Sequence, residues 1–227
     1  MNVGTLSIVA TPIGNMEDIT LRALRVLKEV DYVLCEDTRL TGNLLKHHGI
    51  SAKLKRYDAH ASERTHEAIL TDLESGTHIA LVSDAGTPGV SDPGVLLVSL
   101  VRERIPTVRI EAIPGPSAIT AAFSIAGISG NSFAFLGFVP HKKGRVTFFR
   151  ELSSYHMPVM FYESTHRILK TLEALQGLSG THRLIIAREL TKIHEEVVSG
   201  TPSEIRAYFK ENPEHVRGEF VIIVVKN

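Results

Sequence analysis

The sequence holds one cysteine and no tryptophan in 227 residues. A single thiol, Cys35, excludes an internal disulfide and fits a reducing compartment such as the cytoplasm. Cys35 closes the apolar run Val33-Leu34-Cys35 and reads as a buried strand end rather than a nucleophile. Net charge is lacking too. Lys plus Arg and Asp plus Glu number 25 each, so there is no global basic field, and contact with nucleic acid needs a local patch. Long hydrophobic runs are missing, and the stretch 220–225 falls far short of a membrane span. The chain passes from its first residues into a strand-like segment with no basic, apolar, small-residue targeting pattern. No G-x-G-x-x-G follows the first strand, which excludes the dinucleotide fingerprint. The P-loop pattern and the G-x-S-x-G elbow are also absent. The eleven histidines, His47-His48, His60 and His66 among them, lack metal-ligand spacing, so no metal is expected.

What is present centres on Val82-Ser-Asp-Ala-Gly-Thr-Pro-Gly-Val-Ser-Asp-Pro-Gly94. It lies between the apolar runs 78–82 and 95–101, the layout of a strand, a long turn and a helix. Gly86, Gly89 and Gly94 let main-chain amides approach a ligand, and Pro88 and Pro93 stiffen the loop. Asp92-Pro93 reads as an N-cap and first helical position. The carboxyl end of such a strand is where open α/β sheets bind ligands. A glycine-rich pocket without phosphate-gripping machinery suits a ligand carrying an adenosine but no phosphate.

Apolar content of 43% and charged content of 22% are ordinary for a globular protein. Short apolar runs alternate with helix-period segments, the pattern of a mainly parallel α/β protein. Strands are predicted at 6–10, 32–35, 54–57, 79–82 and 108–113. Asp18 or Thr20 is predicted to cap a helix with Leu21, Leu24 and Leu27 on its buried stripe. Pro114-Gly-Pro116 marks a domain boundary, giving residues 1–114 and 115–227. The second half opens with a small-residue helix at 117–126. Its strands, at 133–139, 158–162, 184–189, 195–199 and 220–225, lie closer together and alternate more, which favours a mixed sheet. Helices are predicted at 168–175 and 203–209.

Eight motifs carry a resemblance that spans nearly the whole chain. They are Val9-Ala-Thr-Pro-Ile-Gly-Asn15, Cys35-Glu-Asp-Thr-Arg39, the loop 83–94, Ile113-Pro-Gly-Pro-Ser-Ala118, Phe135-Leu-Gly-Phe-Val-Pro140, Phe161-Tyr-Glu-Ser164, Ala187-Arg-Glu-Leu-Thr-Lys192 and Gly218-Glu-Phe220. In this order they resemble the tetrapyrrole methylase superfamily, the class III S-adenosylmethionine-dependent methyltransferases. They are most similar to the branch that 2′-O-methylates a cytidine ribose in 16S rRNA. The resemblance implies two α/β domains with S-adenosyl-L-methionine in the cleft between them, usually in a homodimer. It implies contacts from Pro12 after the first strand, and from Asp84, Ala85, Gly86 and Gly89 in the fourth-strand loop. Ser117 and Ala118 are implied at the start of the second domain, and Tyr162, Glu163 and Leu190 in strands lining the other side. Members carry a further small helical segment after the Gly-Glu-Phe strand. This sequence ends at Asn227, so what that segment does for rRNA binding is expected to be missing or supplied otherwise.

Methyl transfer from a sulfonium asks the protein mainly for positioning and a water-poor site. Loop carbonyls and the faces of Phe161 or Tyr162 are suited to the cation. A ribose hydroxyl is a weak acid, so a base helps. Glu36 and Asp37 follow the second strand, with Arg39 placed to hold a carboxylate or grip a phosphate. Glu189 and Lys192 are the second choice. The alternative is that Glu36-Asp37 only caps the next helix and pairs with Arg39. For RNA, His141-Lys-Lys-Gly-Arg145 is the one dense basic cluster, flanked by Phe138, Phe148 and Phe149; a solvated loop with core phenylalanines is the competing reading. Two rival functions stand beside this one: a relative methylating a tetrapyrrole or a protein side chain, and a non-catalytic RNA-binding module, which the neutral charge disfavours.

Overall fold

A computed structural model describes residues 3–92, 94–178 and 182–226. The chain divides into two units, Met1–Ser117 and Ala118–Asn227. The first runs β1 (Thr5–Val9), α1 (Leu21–Glu29), β2 (Tyr32–Cys35), α2 (Thr38–His47), β3 (Leu54–Arg56), α3 (Glu63–Glu74), β4 (His78–Val82), α4 (Val95–Arg104) and β5 (Arg109–Ile113). Its strands form one sheet of order β3-β2-β4-β1-β5, every pairing parallel.

Alternation along the strands sends side chains to both faces, and each face buries its own core. Val9, Val33, Cys35, Ala80 and Val82 pack with Ala23, Val26 and Leu27 of α1 and with Leu44 and Leu45 of α2. Leu6, Leu34, Ile79 and Leu81 pack with Ile69, Leu70 and Leu73 of α3 and with Leu97 and Val101 of α4. The chain therefore leaves β1 toward one face and β4 toward the other. Those two strands are neighbours, so the crevice at their carboxyl ends is the topological switch point where open α/β sheets take ligands.

Two expectations need correction here. In α1, Thr20 is the cap, accepting from Ala23 N at 3.1 Å. The buried stripe, however, is Ala23, Val26 and Leu27, and Leu21 is 86% exposed. The cap sets where the helix starts, and packing of Ala23, Val26 and Leu27 on the sheet leaves Leu21, the first helical residue, pointing outward. In α4, the helix begins at Val95 with Gly94 at the N-cap position, and no side chain caps it. Gly94 has φ 129, and a Cβ there would stand 2.7 Å from the Leu81 side chain. Close approach to β4, rather than a cap at Asp92, sets where the helix starts. Pro93 lies outside the described residues.

The second unit runs α5 (Ala118–Ile125), β6 (Ala134–Phe138), α6 (Arg145–Leu152), β7 (Val159–Ser164), α7 (Ile168–Gln176), β8 (His182–Arg188), β9 (Glu196–Gly200), α8 (Pro202–Glu211) and β10 (Glu219–Lys226). The sheet order is β6-β7-β10-β8-β9. The sheet is mixed, as the sequence predicts: β6 and β7 are parallel, and every other pairing is antiparallel. One face buries Phe161, Leu184, Phe220 and Ile222 against Phe149 of α6, Leu172 of α7 and Phe209 of α8. Thr201 starts α8 with a reciprocal capping box to Glu204 and Pro202 in the first turn. Helix α6 is absent from the sequence-based prediction. It is eight residues long and is entered through Gly144 without a capping side chain, so the usual start signal is missing.

Candidate active site

In the first unit, four loops meet at the carboxyl ends of the strands. Thr11 and Gly86 exchange two main-chain hydrogen bonds, at 2.9 and 3.1 Å, which join the loops after β1 and β4. Thr11 Oγ1 donates to the Ser83 carbonyl at 3.1 Å, and Ser83 Oγ donates to the Gly86 carbonyl at 2.9 Å. Thr87 Oγ1 donates to the Pro116 carbonyl at 3.2 Å, tying in the turn after β5. The Asp37 amide donates to Asp84 Oδ1 at 3.2 Å, tying in the turn after β2. These bonds gather Pro12, Asp84, Ala85, Gly86, Gly89 and Ser117 at one end of the sheet. Asp84 and Ala85 are exposed there, while Gly86 and Pro12 are buried. Gly86 has φ +82, and a Cβ would come within 3.3 Å of Ile13 Cγ2 and 3.6 Å of the Pro116 carbonyl. Glycine at this position lets the loop pack closely on Ile13 and on the turn after β5 in a left-handed backbone conformation.

The same end of the sheet is acidic. Burial, and then the carboxylates of Asp84, Asp92 and Asp58, push the Glu36 carboxyl above its ordinary range. Burial and Asp84 push Asp92 up to about 6. Asp92 escapes the sequence reading as a titrating group, because its dipeptide with proline looks like a helix cap. Asp37 behaves oppositely. It is the N-cap of α2 and accepts from the Arg39 amide at 2.8 Å. Its carboxylate also takes Arg39 Nε at 3.2 Å and the Arg39 guanidinium at 2.8 Å, and these bonds hold it down to about 2. Such a carboxylate is a weak base. For Asp37 the capping role is the one the geometry fills.

Two of the family-like motifs in the second unit, 187–192 and 218–220, form one local structure with Thr165, the residue after a third. The Gly218 amide donates to Thr165 Oγ1 at 2.8 Å, and that hydroxyl donates to the Gly218 carbonyl at 2.7 Å. The Glu219 amide donates to Glu189 Oε1 at 2.9 Å. Lys192 Nζ bridges Glu189 and Glu219 at 2.9 and 3.0 Å. Burial alone would lower the Lys192 pKa, but these two carboxylates raise it, so the ammonium is firmly charged and already paired. Leu190 is not in a strand. It lies in the turn after β8 and is 7% exposed.

Tyr162 and Glu163 follow each other on β7 and so point to opposite faces. The Tyr162 ring sits 5.0 Å from both Phe135 and Phe138, with Phe138 exposed. The Glu163 side chain is fully buried. It pairs with Arg167 Nε at 2.8 Å and Arg145 at 3.6 Å, and accepts from Thr171 Oγ1 at 2.5 Å and the Ser164 amide at 2.8 Å. Its carboxylate is consumed inside the unit, which leaves only the main chain of residue 163 for a ligand. The same bonds revise the basic cluster. Arg145 turns inward onto Glu163, Thr171 and the Phe149 ring. Phe149 is core and Phe148 packs against it. His141, Lys142 and Lys143 remain exposed.

Among the described residues there is no group of three or more His, Cys, Asp or Glu arranged to hold a metal ion. No described helix is long and apolar enough to cross a membrane.

The model of the family described as Tetrapyrrole (Corrin/Porphyrin) Methylases matches residues 5–206. The ribosomal RNA small subunit methyltransferase I of Escherichia coli O157:H7 is 44% identical over 97% of this chain and 77% of that protein. The protein of the same name from Thermotoga maritima is 41% identical over 98% of both. Among solved structures, diphthine synthase is similar at a TM-score of 0.69 and 15% identity, covering 98% of this chain and 90% of that one. The uroporphyrin-III C-methyl transferase of Thermus thermophilus, complexed with S-adenyl homocysteine, has a TM-score of 0.64 and 20% identity, covering 98% and 96%. At such identities the likeness is one of fold.

Proposed function

The chain belongs to the tetrapyrrole (corrin/porphyrin) methylase family, and we propose that it 2′-O-methylates a cytidine ribose in the 16S rRNA of the small ribosomal subunit. It is a ribosomal RNA methyltransferase, and its methyl donor is S-adenosylmethionine. The observation that carries the substrate is the 41–44% identity, over nearly the full chain, to proteins named for small-subunit rRNA. The tetrapyrrole and diphthine enzymes share only the fold.

The strand-end loops fit the donor. Asp84 and Ala85 are exposed beside the buried Gly86, so loop main chain is open to an adenosyl group there, and no phosphate-binding glycine motif competes. The carboxylates of Glu36, Asp58, Asp84 and Asp92 give this end a negative potential that favours a cation. When bound, the donor supplies an electrophilic methyl on a positively charged sulfur. The chain's own residues do the rest. Pro12, Asp84, Ala85, Gly86, Gly89, Ser117 and Ala118 bind and orient the donor, with Tyr162, Leu190 and the main chain of Glu163 as the second unit's contributors. Glu36 accepts the proton that the ribose hydroxyl must lose, its raised pKa making it a better base than an ordinary carboxylate. Asp37 holds Arg39 in place; the Arg39 side chain stays 86% exposed and keeps donors for a phosphate. Lys192 orders the turn 189–192 through its bridge to Glu189 and Glu219. The working form is a homodimer in the cytoplasm, where the subunits are.

The test is transfer of a labelled methyl group to small subunits from cells lacking the modification. The expected product is one labelled cytidine whose 3′-linkage resists alkali, as a 2′-O-methyl requires. Label on a base, or none on RNA, rejects the reading.

A further inference from the structure

Strand β6 lies at the edge of the second unit's sheet and carries a bulge. Phe135 is level with Met160 of β7, but Phe138 is level with Tyr162, so β6 uses three steps where β7 uses two. Gly137, with φ +68, takes up the extra residue in a left-handed conformation. The bulge changes which side chains share a face. Leu136 and Val139 join the helix-covered core. Phe135 and Phe138, three positions apart, both meet Tyr162 on the opposite face, each with its ring centre 5.0 Å away. Phe133, just before the strand, meets Phe123 of α5 at 4.9 Å. Phe138, at the strand's end, is backed by Tyr162 and stays 55% exposed.

The chain that leaves β6 is basic, and it is held at both ends. Arg167 Nη1 donates to the Val139 carbonyl at 2.7 Å. Arg145 donates to Thr171 Oγ1 at 2.8 Å beside the buried Glu163 carboxylate, and its amide closes a turn onto the Lys142 carbonyl at 3.3 Å. Glu163 pairs with both arginines, so one buried carboxylate fixes the loop between them. That loop presents His141, Lys142 and Lys143 to solvent. Neither lysine has an ion-pair partner among the described residues. The sequence has no Asp or Glu between Glu111 and Glu151. On the next strand, Glu219 lies level with Ser164, and Lys192 already bridges it. The charge left over in this loop is positive.

An exposed ring and two free ammonium groups ask for different things from one occupant. An apolar protein face would cover the ring and leave the lysines without counter-charge. The methyl donor is a cation and carries no phosphate. A duplex keeps its bases stacked and its base faces closed. A single strand offers both features, because each nucleotide has an open base face and a phosphate. Lys142 follows Phe138 by four residues, a span of at most about 14 Å, so ring and lysines serve one short run of nucleotides.

We propose that Phe138 and Lys142-Lys143 form a platform for single-stranded RNA. One unpaired base of the substrate stacks on the exposed face of Phe138, and the two lysines take the phosphates that follow. The platform deepens the ribosomal RNA methyltransferase reading and rests on it.

The test measures binding of unmodified small subunits between about 50 and 200 mM salt, with donor affinity, oligomeric state and melting temperature followed on the same proteins. Phe138→Ala should weaken subunit binding about tenfold, the scale of one lost base stack, and leave the salt dependence as it was. Phe138→Tyr keeps a ring and should bind as the wild type does. Replacing Lys142 and Lys143 together by alanine should weaken binding and flatten the log–log salt dependence by about 1.4, the value for two single-strand phosphate contacts. S-adenosylmethionine should bind equally well to all three. Wild-type subunit affinity and salt dependence in Phe138→Ala and in the lysine variant, with methyl transfer intact, overturn the platform and leave the activity standing. Weaker donor binding by Phe138→Ala makes the ring a wall of the donor pocket, and a dimer-to-monomer shift makes it a contact between copies; either result overturns the platform. A wild-type protein that methylates no subunit removes the activity itself, and the platform with it.

Discussion

At positions 36 and 37 two adjacent carboxylates meet opposite environments. Asp37 faces the α2 N-terminus and the Arg39 fork, which stabilise its charged form. Glu36 is half-buried among other carboxylates, which destabilise its charged form. Asparagine caps helices as well as aspartate does, so Asp37→Asn should keep turnover within roughly threefold. Glu36→Gln should lower it about a hundredfold or more, the usual scale for a lost general base. The pH dependence has a definite sign. Only ionised Glu36 accepts a proton, so kcat/KM should fall tenfold for each pH unit below its pKa. Because that pKa is raised, the acid limb should lie above the ordinary glutamate value of about 4.3. An acid limb that Glu36→Gln leaves in place, with turnover retained, would assign the proton to another group. Sequence alone leaves the two carboxylates open, because what separates them is which groups fold back onto each.

Among the elements, strand runs and helix periods are legible because each buries one repeating face. The failures are local. In α1 the face that packs on the sheet carries Ala23, Val26 and Leu27 rather than the leucine series, and α6 lacks a start signal. Arg145 looks like surface charge until Glu163, 18 positions along the chain, is seen to need it. Motifs legible only by resemblance also acquire physical causes. Gly218 has φ +114, and a Cβ would stand 2.5–2.7 Å from the Glu189 side chain, which crosses the glycine to meet Lys192 and the Glu219 amide. Gly218→Ala should therefore cost about 1–3 kcal/mol through backbone strain, plus displacement of Glu189. For a chain of this size that is a fall in melting temperature of roughly 3–10 °C, readable by calorimetry. Adding Glu189→Ala should recover the steric part and leave the φ penalty. An unchanged melting temperature in the single variant would mean that Glu189 is not held there.

For the whole molecule, two units with separate cores serve one chemistry. The first gathers glycine-rich loops and acid at the carboxyl ends of a parallel sheet and holds 12 Lys and Arg against 15 Asp and Glu, whereas the second holds 13 against 10. That separation of sign is invisible in a formal net charge of zero. It suits a cationic donor and an anionic acceptor handled by different surfaces. The crevice beside β1 and β4 was legible in the sequence, because its glycines and prolines sit together in one loop. The network around Arg188 was not, because its partners come from two separated stretches, 194–196 and 214–217. The most direct measurement is a crystal structure of the protein with bound S-adenosylhomocysteine. The expected result is the adenosyl group against the main chain of residues 84–89, with Glu36 unpaired nearby. The ligand bound away from that loop, or failing to bind at millimolar concentration, would contradict the assignment.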